Sequence, residues 1–215
     1  MRTKYIKIGA CAAFGLLTLL WLFCLPAQLF EDTPYSTVVT DKDGELLGAR
    51  VADDGQWRFP PCDSLPEKFV RALIEYEDRS FYSHFGMSLR GIARAIKQNI
   101  SNGRIVSGGS TITMQTIRLH RRGERTYIEK IIEMFMATRL ELRYTKDEIL
   151  KMYASHAPFG GNVVGIDAAM WRYLGNNGND ISWAEAATLA VLQNAPSTIH
   201  LSKIVTGCLP NATDC

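Results

Sequence analysis

The chain has 215 residues, of which 47% are hydrophobic and 21% are charged, and its formal net charge is +2. This composition excludes an intrinsically disordered chain. A net charge this small gives no support for a nucleic-acid partner, and we expect none. The length predicts one domain of ordinary size with an appendage.

The first thirty residues predict a membrane anchor. Three basic residues among the first seven precede a run from Ile8 to Phe30 that carries no charge. Because a helix rises about 1.5 Å per residue, a run of this length crosses a bilayer core of about 30 Å. A buried core helix suits such an N-terminal run poorly, and a cleaved signal peptide, for which Ala27 offers a small residue, has a shorter apolar stretch. The positive flank predicts that residues 1–30 are a cytoplasmic tip and a single membrane pass, with the rest of the chain on the extracytoplasmic side.

After the anchor, residues 31–62 predict a small β-hairpin and a linker, because Asp43-Gly44 is a turn signal between β-branched segments. Residues 63–203 predict a mostly α domain, whose first helix begins with a capping box formed by Ser64 and Glu67. The predicted helices are 64–78, 88–101, 110–120, 125–143, 146–154, 163–173 and 182–193. Residues 204–215 have no helical pattern and predict an atypical tail.

The cysteines predict neither a complete disulfide framework nor a metal site. Cys11 and Cys24 fall within the anchor, which leaves an odd number, Cys62, Cys208 and Cys215, on the extracytoplasmic side. No pair of cysteines has zinc-like spacing with histidines, so we predict no structural metal.

The stretch EDRSFYSHFG at residues 77–86 carries the first candidate catalytic residue. Glu77 lies three and four residues after apolar positions of its helix, which places it on or beside the buried face. A partly desolvated carboxylate has a raised pKa, which suits a general base near neutral pH. The alternative is a helix-ending glutamate paired with an arginine such as Arg79 or Arg90. For His84 we keep a structural interpretation.

A second stretch, SGGSTITMQTIRL at residues 107–119, is rich in glycine and hydroxyl groups and opens a predicted helix. Backbone amides at a helix start, together with Ser110, Thr111 and Thr113, can hold an anionic group, and Arg118 follows two turns later. The alternative is a plain Ser/Thr helix cap.

The helix YIEKIIEMFMATRLE at residues 127–141 carries a second candidate acid, Glu133, one turn after Lys130. Glu133 lies at the margin of a predicted apolar stripe that consists of four residues, Ile128, Ile131, Ile132 and Phe135. A carboxylate near a lysine is commonly a surface ion pair. An acidic pair with basic residues nearby is also what glycosyl transfer with a charged leaving group requires.

These stretches together resemble the peptidoglycan glycosyltransferases of family 51, the transglycosylase module of class A penicillin-binding proteins. The family's first motif, E-D-x-x-F-x-x-H-x-G, is met throughout residues 77–86. The second motif, G-x-S-T-I-T-Q-Q, is met at 108–115 except that Met114 replaces the first glutamine. These two motifs are highly specific.

The third and fourth motifs are met with departures. R-K-x-x-E appears at 129–133 without its arginine, and K-x-E-I-L-E-x-Y-L-N appears at 146–155 with Lys151 in place of a glutamate and Ala154-Ser155 in place of Leu-Asn. The stretches APFGG and GIDAAMWRYLG are most similar to the penicillin-binding protein 1C branch. The resemblance covers residues 31–203.

The resemblance implies a lysozyme-like, mostly α glycosyltransferase domain that polymerises lipid II into glycan strands and releases undecaprenyl diphosphate. It implies that Glu77 deprotonates the acceptor hydroxyl and that Glu133 assists near the leaving diphosphate. The residues that it implies as substrate contacts are Asp78, Ser110, Thr111, Gln115, Arg118 and Lys130. No cofactor is required by this chemistry, and magnesium is allowed only as a companion of the diphosphate.

The same resemblance implies a single-pass protein of the bacterial inner membrane that acts in cell wall synthesis. The implied partners are lipid II, the growing glycan chain and the membrane, and other cell wall synthesis proteins are candidates.

The C-terminus departs from the family. The family continues after residue 203 to an arginine-rich fifth motif, whereas this chain reads IVTGCLPNATDC, so we expect a truncated product. An inactive membrane-bound remnant or interaction protein is therefore an alternative function. A lysozyme-like glycan-cleaving enzyme is a further alternative, but Arg118 and the GGSTIT stretch favour a transferase, because a hydrolase has no diphosphate to hold.

Overall fold

The computed structural model describes residues 2–44, 46–61, 63–104, 108–123, 126–175 and 180–193. Within these residues the chain is mostly α with two short antiparallel hairpins, which confirms the predicted fold class. The helices are α1 Arg2–Leu22, α2 Glu67–Glu77, α3 Leu89–Asn102, α4 Ile112–Arg121, α5 Tyr127–Arg143, α6 Lys146–His156, α7 Ile166–Leu174 and α8 Trp183–Leu192. The strands are β1 Thr37–Thr40, β2 Leu46–Arg50, β3 Pro158–Gly160 and β4 Val163–Val164.

All seven helices predicted after the hairpin are present, with ends that differ by a few residues. The predicted tail at 204–215 and the cysteines at 62, 208 and 215 lie outside the described residues. The domain boundaries at residues 30, 62 and 203 stay predictions.

The apolar N-terminal segment forms one helix, although this helix is shorter than the predicted run. α1 ends at Leu22 rather than near Phe30. In a helix, the ring of a proline clashes with the carbonyl group of the residue four positions earlier, and for Pro26 that residue is Leu22. The helix therefore ends before Pro26. The 21 residues of α1 still measure about 31 Å at 1.5 Å per residue. The segment Tyr5–Leu22 is long and apolar enough to span a membrane, and all of its side chains except Trp21 are exposed.

Two local predictions at helix starts are wrong. α2 begins at Glu67 with Pro66 as its N-cap, so the predicted capping box at Ser64 is not the start of the helix. The proline ring disfavours helical geometry at the preceding residue, which excludes Leu65 from the helix. α7 begins at Ile166, because the two valines before it pair with β3 as strand β4.

The described residues form two compact units, and the first contains residues up to 33 together with 80–153. Its core lies between α4 and α5, where six apolar side chains are buried, namely Ile112, Met114, Ile117, Met136, Ala137 and Leu140. The loop before α3 approaches α5 closely at Gly86, whose φ is +77°. A Cβ atom at this position would lie 2.7 Å from the carbonyl carbon of Ala137, so the close approach requires glycine.

The last turn of α1 is attached to α5 within the same unit. The indole Nε1 of Trp21 donates to the hydroxyl of Thr138 at 2.9 Å, and the guanidinium of Arg139 lies 5.6 Å from the Trp21 ring centroid. Arg143 donates to the carbonyl oxygens of Pro26 and Ala27 just after the helix. The anchor therefore joins the helix that carries the second candidate acid.

The buried face of α5 is not the one that periodicity predicted. Ile128 and Ile131 of the predicted stripe are 72% and 67% exposed. The residues of α5 that are buried are Glu133, Met136, Ala137 and Leu140. α5 has apolar residues on two sides, and the side that packs on α4 is the buried one, so Glu133 lies on the buried face rather than at its margin.

The second unit contains residues 34–79 and the described residues from 154 onward. Strands β1 and β2 pair antiparallel from Thr37 opposite Arg50 to Thr40 opposite Leu46, which confirms the predicted hairpin. α2 packs on α8, and Phe69 of α2 lies 6.4 Å from Phe159 of β3 between ring centroids. This packing holds α2, which ends at the first candidate acid.

Candidate active site

The start of α4 is held by a buried threonine. The Thr111 hydroxyl accepts from the backbone N–H of Met114 at 3.2 Å, as an N-cap, and donates to the carbonyl oxygen of Gly86 at 2.6 Å. Thr113 is also buried and donates its hydroxyl to Glu141 at 2.6 Å. The hydroxyls of Thr111 and Thr113 therefore both form hydrogen bonds within the protein. Ser110, by contrast, is only half-buried. Thr111 as a substrate contact stays a prediction.

Four of the predicted site residues come together between the start of α4 and the middle of α5. The ammonium of Lys130 donates to the Ser110 hydroxyl and, at 2.8 Å, to Oε2 of Glu133. The Arg118 Nε lies 3.8 Å from Oε1 of the same carboxylate. We call these residues, Ser110, Arg118, Lys130 and Glu133, the Lys130 cluster.

The Lys130 cluster places one buried carboxylate between two cations. Glu133 is 4% exposed, whereas Lys130 and Arg118 are both partly exposed. Burial lowers the pKa of Lys130, and the neighbouring Glu133 carboxylate opposes this shift. Because the two positive side chains reach toward solvent, their remaining donors can bind an anionic group from outside.

Gln115 lies one turn before Arg118 on α4 and is oriented from α6. Its side-chain carbonyl accepts from the phenolic hydroxyl of Tyr153 at 3.3 Å. This bond fixes which way the amide of Gln115 points, since the oxygen is engaged with Tyr153. Gln115 as a substrate contact stays a prediction.

Sequence reasoning missed a second polar network in the same unit, which is centred on the carboxylate of Glu141. The Glu141 carboxylate accepts from Thr113 and, at 2.7 Å, from Lys146. Lys146 also donates to the carbonyl oxygen of His84 at 2.8 Å and lies 4.4 Å from the Phe81 ring centroid. The network therefore connects the loop of the first motif, the helix of the second motif and the start of the fourth. The spacing of eight residues between Glu133 and Glu141 could have revealed it, because that spacing places both on one face of α5.

The first candidate acid and its neighbour belong to the second unit. Glu77 is the last residue of α2 and is half-buried, while Asp78 is the C-cap and is buried. The Asp78 N–H donates to the carbonyl oxygen of Ile74 at 2.9 Å, which completes the helix. Glu75 of the same helix is exposed and pairs with Arg79 at 2.7 Å. The half-buried position of Glu77 agrees with the predicted helix face, and its role as a base stays a prediction.

Comparison with known proteins identifies the family. Residues 43–207 match the family model described as transglycosylase, which covers most of the chain and includes both candidate acids. The chain belongs to the transglycosylase family. The family assignment made from the motifs is therefore confirmed.

Relatives of this transglycosylase chain include several penicillin-binding proteins. Penicillin-binding protein 1C of Escherichia coli (strain K12) is 43% identical over 81% of this chain and 23% of its own length. Penicillin-binding protein 1A of Pseudomonas aeruginosa is 37% identical over 74% of this chain and 19% of its own length. Penicillin-binding protein 1F of Bacillus subtilis (strain 168) is 33% identical over 76% of this chain and 23% of its own length. The chain thus spans about a fifth to a quarter of the curated relatives it matches, and the match with 1C agrees with the branch that the motifs predicted.

Proposed function

We propose that the chain is a peptidoglycan glycosyltransferase that polymerises lipid II into glycan strands and releases undecaprenyl diphosphate. The observation that carries this proposal is the Lys130 cluster, which presents two partly exposed cations and a hydroxyl beside a buried carboxylate in a member of the transglycosylase family. A leaving diphosphate is strongly anionic, and such a set of donors stabilises it.

In this proposal Glu77 acts as the general base. Its carboxylate takes the proton of the acceptor sugar hydroxyl, and the oxygen attacks the anomeric carbon of the growing chain from the face opposite the diphosphate. A new glycosidic bond forms, the bond from the anomeric carbon to the diphosphate oxygen breaks, and the diphosphate leaves with the electron pair. The configuration at the anomeric carbon is inverted.

Arg118, Lys130 and Ser110 stabilise the negative charge that develops on the diphosphate. Glu133 orients Lys130 through the 2.8 Å bond and keeps the ammonium in place while the site is empty of substrate. An uncompensated pair of cations at a partly buried position would repel each other, so the carboxylate keeps the anion site assembled. Asp78, Thr111 and Gln115 are further proposed substrate contacts.

Magnesium has no proposed role in the chemical step. Within the described part of the chain, no three His, Cys, Asp or Glu side chains are grouped as a metal site. The donors around Lys130 are cationic and hydroxyl groups, which suit phosphate oxygens rather than a metal ion. A magnesium ion would therefore arrive with the diphosphate.

The proposed location is the inner membrane of a bacterium, with the catalytic residues on the extracytoplasmic side. α1 supplies the membrane-spanning segment, and the basic residues at its start favour a cytoplasmic N-terminus. An anchor of this kind keeps the enzyme beside a substrate that is itself a membrane lipid. Lipid II, the growing glycan chain and other cell wall synthesis proteins are the proposed partners.

The experiment that tests the function is polymerisation of labelled lipid II by the full chain purified in detergent. Three proteins are compared, namely the parent, Glu77→Gln and Glu75→Gln. Glu75 is a matched control because it lies two residues away on α2 and is exposed in an ion pair with Arg79. We expect polymer from the parent and from Glu75→Gln, and a loss of at least about a hundredfold for Glu77→Gln.

Each other outcome contradicts one part of the proposal. A folded parent that makes no polymer would leave the alternative of a membrane-bound remnant or interaction protein. Equal polymer from the parent and from Glu77→Gln would show that Glu77 is not the base. Cleavage of preformed glycan without polymer formation would favour the lysozyme-like alternative.

A further inference from the structure

A second ion pair joins α4 and α5 one turn beyond the Lys130 cluster. Arg121 donates to the carboxylate of Glu129 from Nη2 at 2.9 Å and from Nε at 3.2 Å. Arg121 follows Arg118 by three residues on α4, and Glu129 precedes Glu133 by four residues on α5. Residues at these spacings are neighbours on one face of a helix. The Arg121 pair therefore lies next to the Lys130 cluster and adds a third cation beside it.

The carboxylate of Glu129 is held in this position by its surroundings. A Cβ atom on Gly123 would lie 2.9 Å from Oε2 of Glu129, so the chain that leaves α4 passes close to this carboxylate. The Glu129 N–H donates to the Thr126 hydroxyl at 3.1 Å, which fixes the first turn of α5. The hydrogen bond from Arg121 lowers the pKa of the Glu129 carboxyl, so it stays ionised at neutral pH. Glu129 is therefore a fixed charge that orients the guanidinium.

The geometry of this pair leaves most of the Arg121 guanidinium available. A guanidinium carries five N–H donors in a planar fork. Glu129 accepts from Nε and from one donor of Nη2, so three donors remain, and these have no partner among the residues that the structure describes. The Arg121 side chain is 34% exposed. It is also the only charged one among the described residues that line a cavity of about 470 Å³ beside the last turn of α1.

The Lys130 cluster has few donors left for a diphosphate. The ammonium of Lys130 has three donors and already gives two of them, to Ser110 and to Glu133. A diphosphate carries two phosphate groups, each with several acceptor oxygens. An arginine with a free edge binds a phosphate through two parallel hydrogen bonds, which a lysine cannot do. Arg121 supplies such an edge one turn from the cluster.

We propose that Arg121 is a further substrate-binding residue, whose free edge donates to one phosphate group of a diphosphate while Arg118 and Lys130 hold the other. Glu129 is the positioning residue that orients the guanidinium of Arg121. The identity of the diphosphate rests on the proposed function, in which it belongs to the lipid carrier that leaves. The anion contact itself does not depend on turnover and can be measured without it.

The test is isothermal titration calorimetry of the full chain in detergent with two probes, inorganic pyrophosphate and inorganic phosphate. Three proteins are compared, namely the parent, Arg121→Gln and Arg122→Gln. Arg122 is the matched control because it is the next residue, is exposed and carries the same charge. We expect Arg121→Gln to weaken pyrophosphate binding about tenfold and phosphate binding less than about twofold. Arg122→Gln should change the affinity for either probe less than about twofold.

The positioning role of Glu129 is tested by the preference for pyrophosphate over phosphate. Removal of a negative charge strengthens the binding of both anions, and that of the more highly charged pyrophosphate more. Only a loss of orientation can therefore lower the preference. We expect Glu129→Ala to lower it about threefold, and to have no such effect when Arg121→Gln is already present, because the two residues act as one unit.

Three outcomes would overturn the inference. If Arg121→Gln leaves pyrophosphate affinity unchanged, or if Arg122→Gln lowers it equally, the Arg121 pair is only a structural contact between α4 and α5. If Arg121→Gln weakens the binding of both probes equally, the substitution has disturbed helix packing rather than removed a phosphate contact. If the parent binds neither probe, the Lys130 cluster is not an anion site, and the proposed function fails together with this inference. A parent that binds pyrophosphate without any contribution from Arg121 leaves the proposed function standing.

Discussion

Replacement of Glu133 by glutamine tests whether this carboxylate holds the Lys130 cluster together. The change keeps the shape of the side chain but removes the charge that two cations share at 2.8 Å and 3.8 Å. A hydrogen bond to a charged partner contributes about 1.5–3 kcal/mol, of which a neutral amide oxygen keeps about half. The two cations are also left without a counter-charge. We therefore expect the free energy of unfolding to fall by about 1.5 kcal/mol.

The assay is thermal unfolding of the full chain in detergent, followed by far-UV circular dichroism. For a chain of this length a loss of about 1.5 kcal/mol lowers the Tm by about 3–6 °C. Glu129→Gln is the matched control, because Glu129 lies on the same helix and pairs with Arg121 at 2.9 Å but nearer to solvent. The control is expected to lower the Tm less than Glu133→Gln does.

An equal or larger Tm loss for the control would refute this reasoning, because it would show that burial of Glu133 adds nothing to the pair. A higher Tm for Glu133→Gln would show that desolvation of the carboxylate costs more than its attraction to Lys130 and Arg118 returns. In either case the assignment of Glu133 as the group that assembles the anion site would be wrong.

Three further predictions concern the same unit. Burial lowers the pKa of Lys130, so the folded chain binds fewer protons at this site than the unfolded chain. The free energy of unfolding should therefore rise with pH from the lowered pKa up to the usual lysine value of about 10.4. Urea unfolding at several alkaline pH values should show this rise, and Lys130→Met should reduce it. Gly86→Ala should lower the free energy of unfolding by more than about 2 kcal/mol, since φ is +77° and the new Cβ atom would overlap the α5 backbone. Thr113→Val should lower the free energy of unfolding by about 1–3 kcal/mol, because the buried Glu141 carboxylate loses a hydrogen-bond donor. The losses for Gly86→Ala and Thr113→Val are measured by urea unfolding.

Matched controls separate these effects from ordinary substitution costs. Gly103 has a similar φ of +62°, but a Cβ atom added there would have nothing within 4 Å. Gly103→Ala should therefore lower the free energy of unfolding by only about 1–2 kcal/mol. An equal loss at both glycines would rule out the close contact at Gly86. Thr188→Val removes a solvent-exposed hydroxyl bond and should change stability by less than about 0.5 kcal/mol. If Lys130→Met leaves the rise in unfolding free energy at alkaline pH unchanged, the titration belongs to another group.

Local pattern was sufficient for most of the fold. Helices α2 to α8 were predicted because apolar residues recur at helical spacing between glycine-rich joints, and the β1–β2 hairpin was predicted from Asp43-Gly44. Pattern failed where two local signals compete. Ser64 satisfied the spacing of a capping box, but Pro66 restricted Leu65 and moved the start of α2 to Glu67.

Motif spacing also predicted all four residues of the Lys130 cluster. Ser110, Arg118, Lys130 and Glu133 were all singled out from the sequence, since residue types suited to an anionic leaving group recur in two neighbouring helices, and the structure places them in contact. Motif spacing did not predict that the side-chain hydroxyls of Thr111 and Thr113 point into the protein. A hydroxyl on a loop has several acceptors within reach, and only the packed structure selects one.

The sequence by itself determined the apolar N-terminal helix, the order of the helices, the family and the residue types of the site, because each depends on neighbours within a few turns. The tertiary structure alone decided which side of α5 is buried. Both sides of that helix contain apolar residues. The side that packs on α4 is buried together with the side chains of Glu133 and Glu141, whereas Ile128 and Ile131 on the other side are exposed. Helical periodicity is a property of one segment, whereas burial depends on the shape of the surface that packs against it.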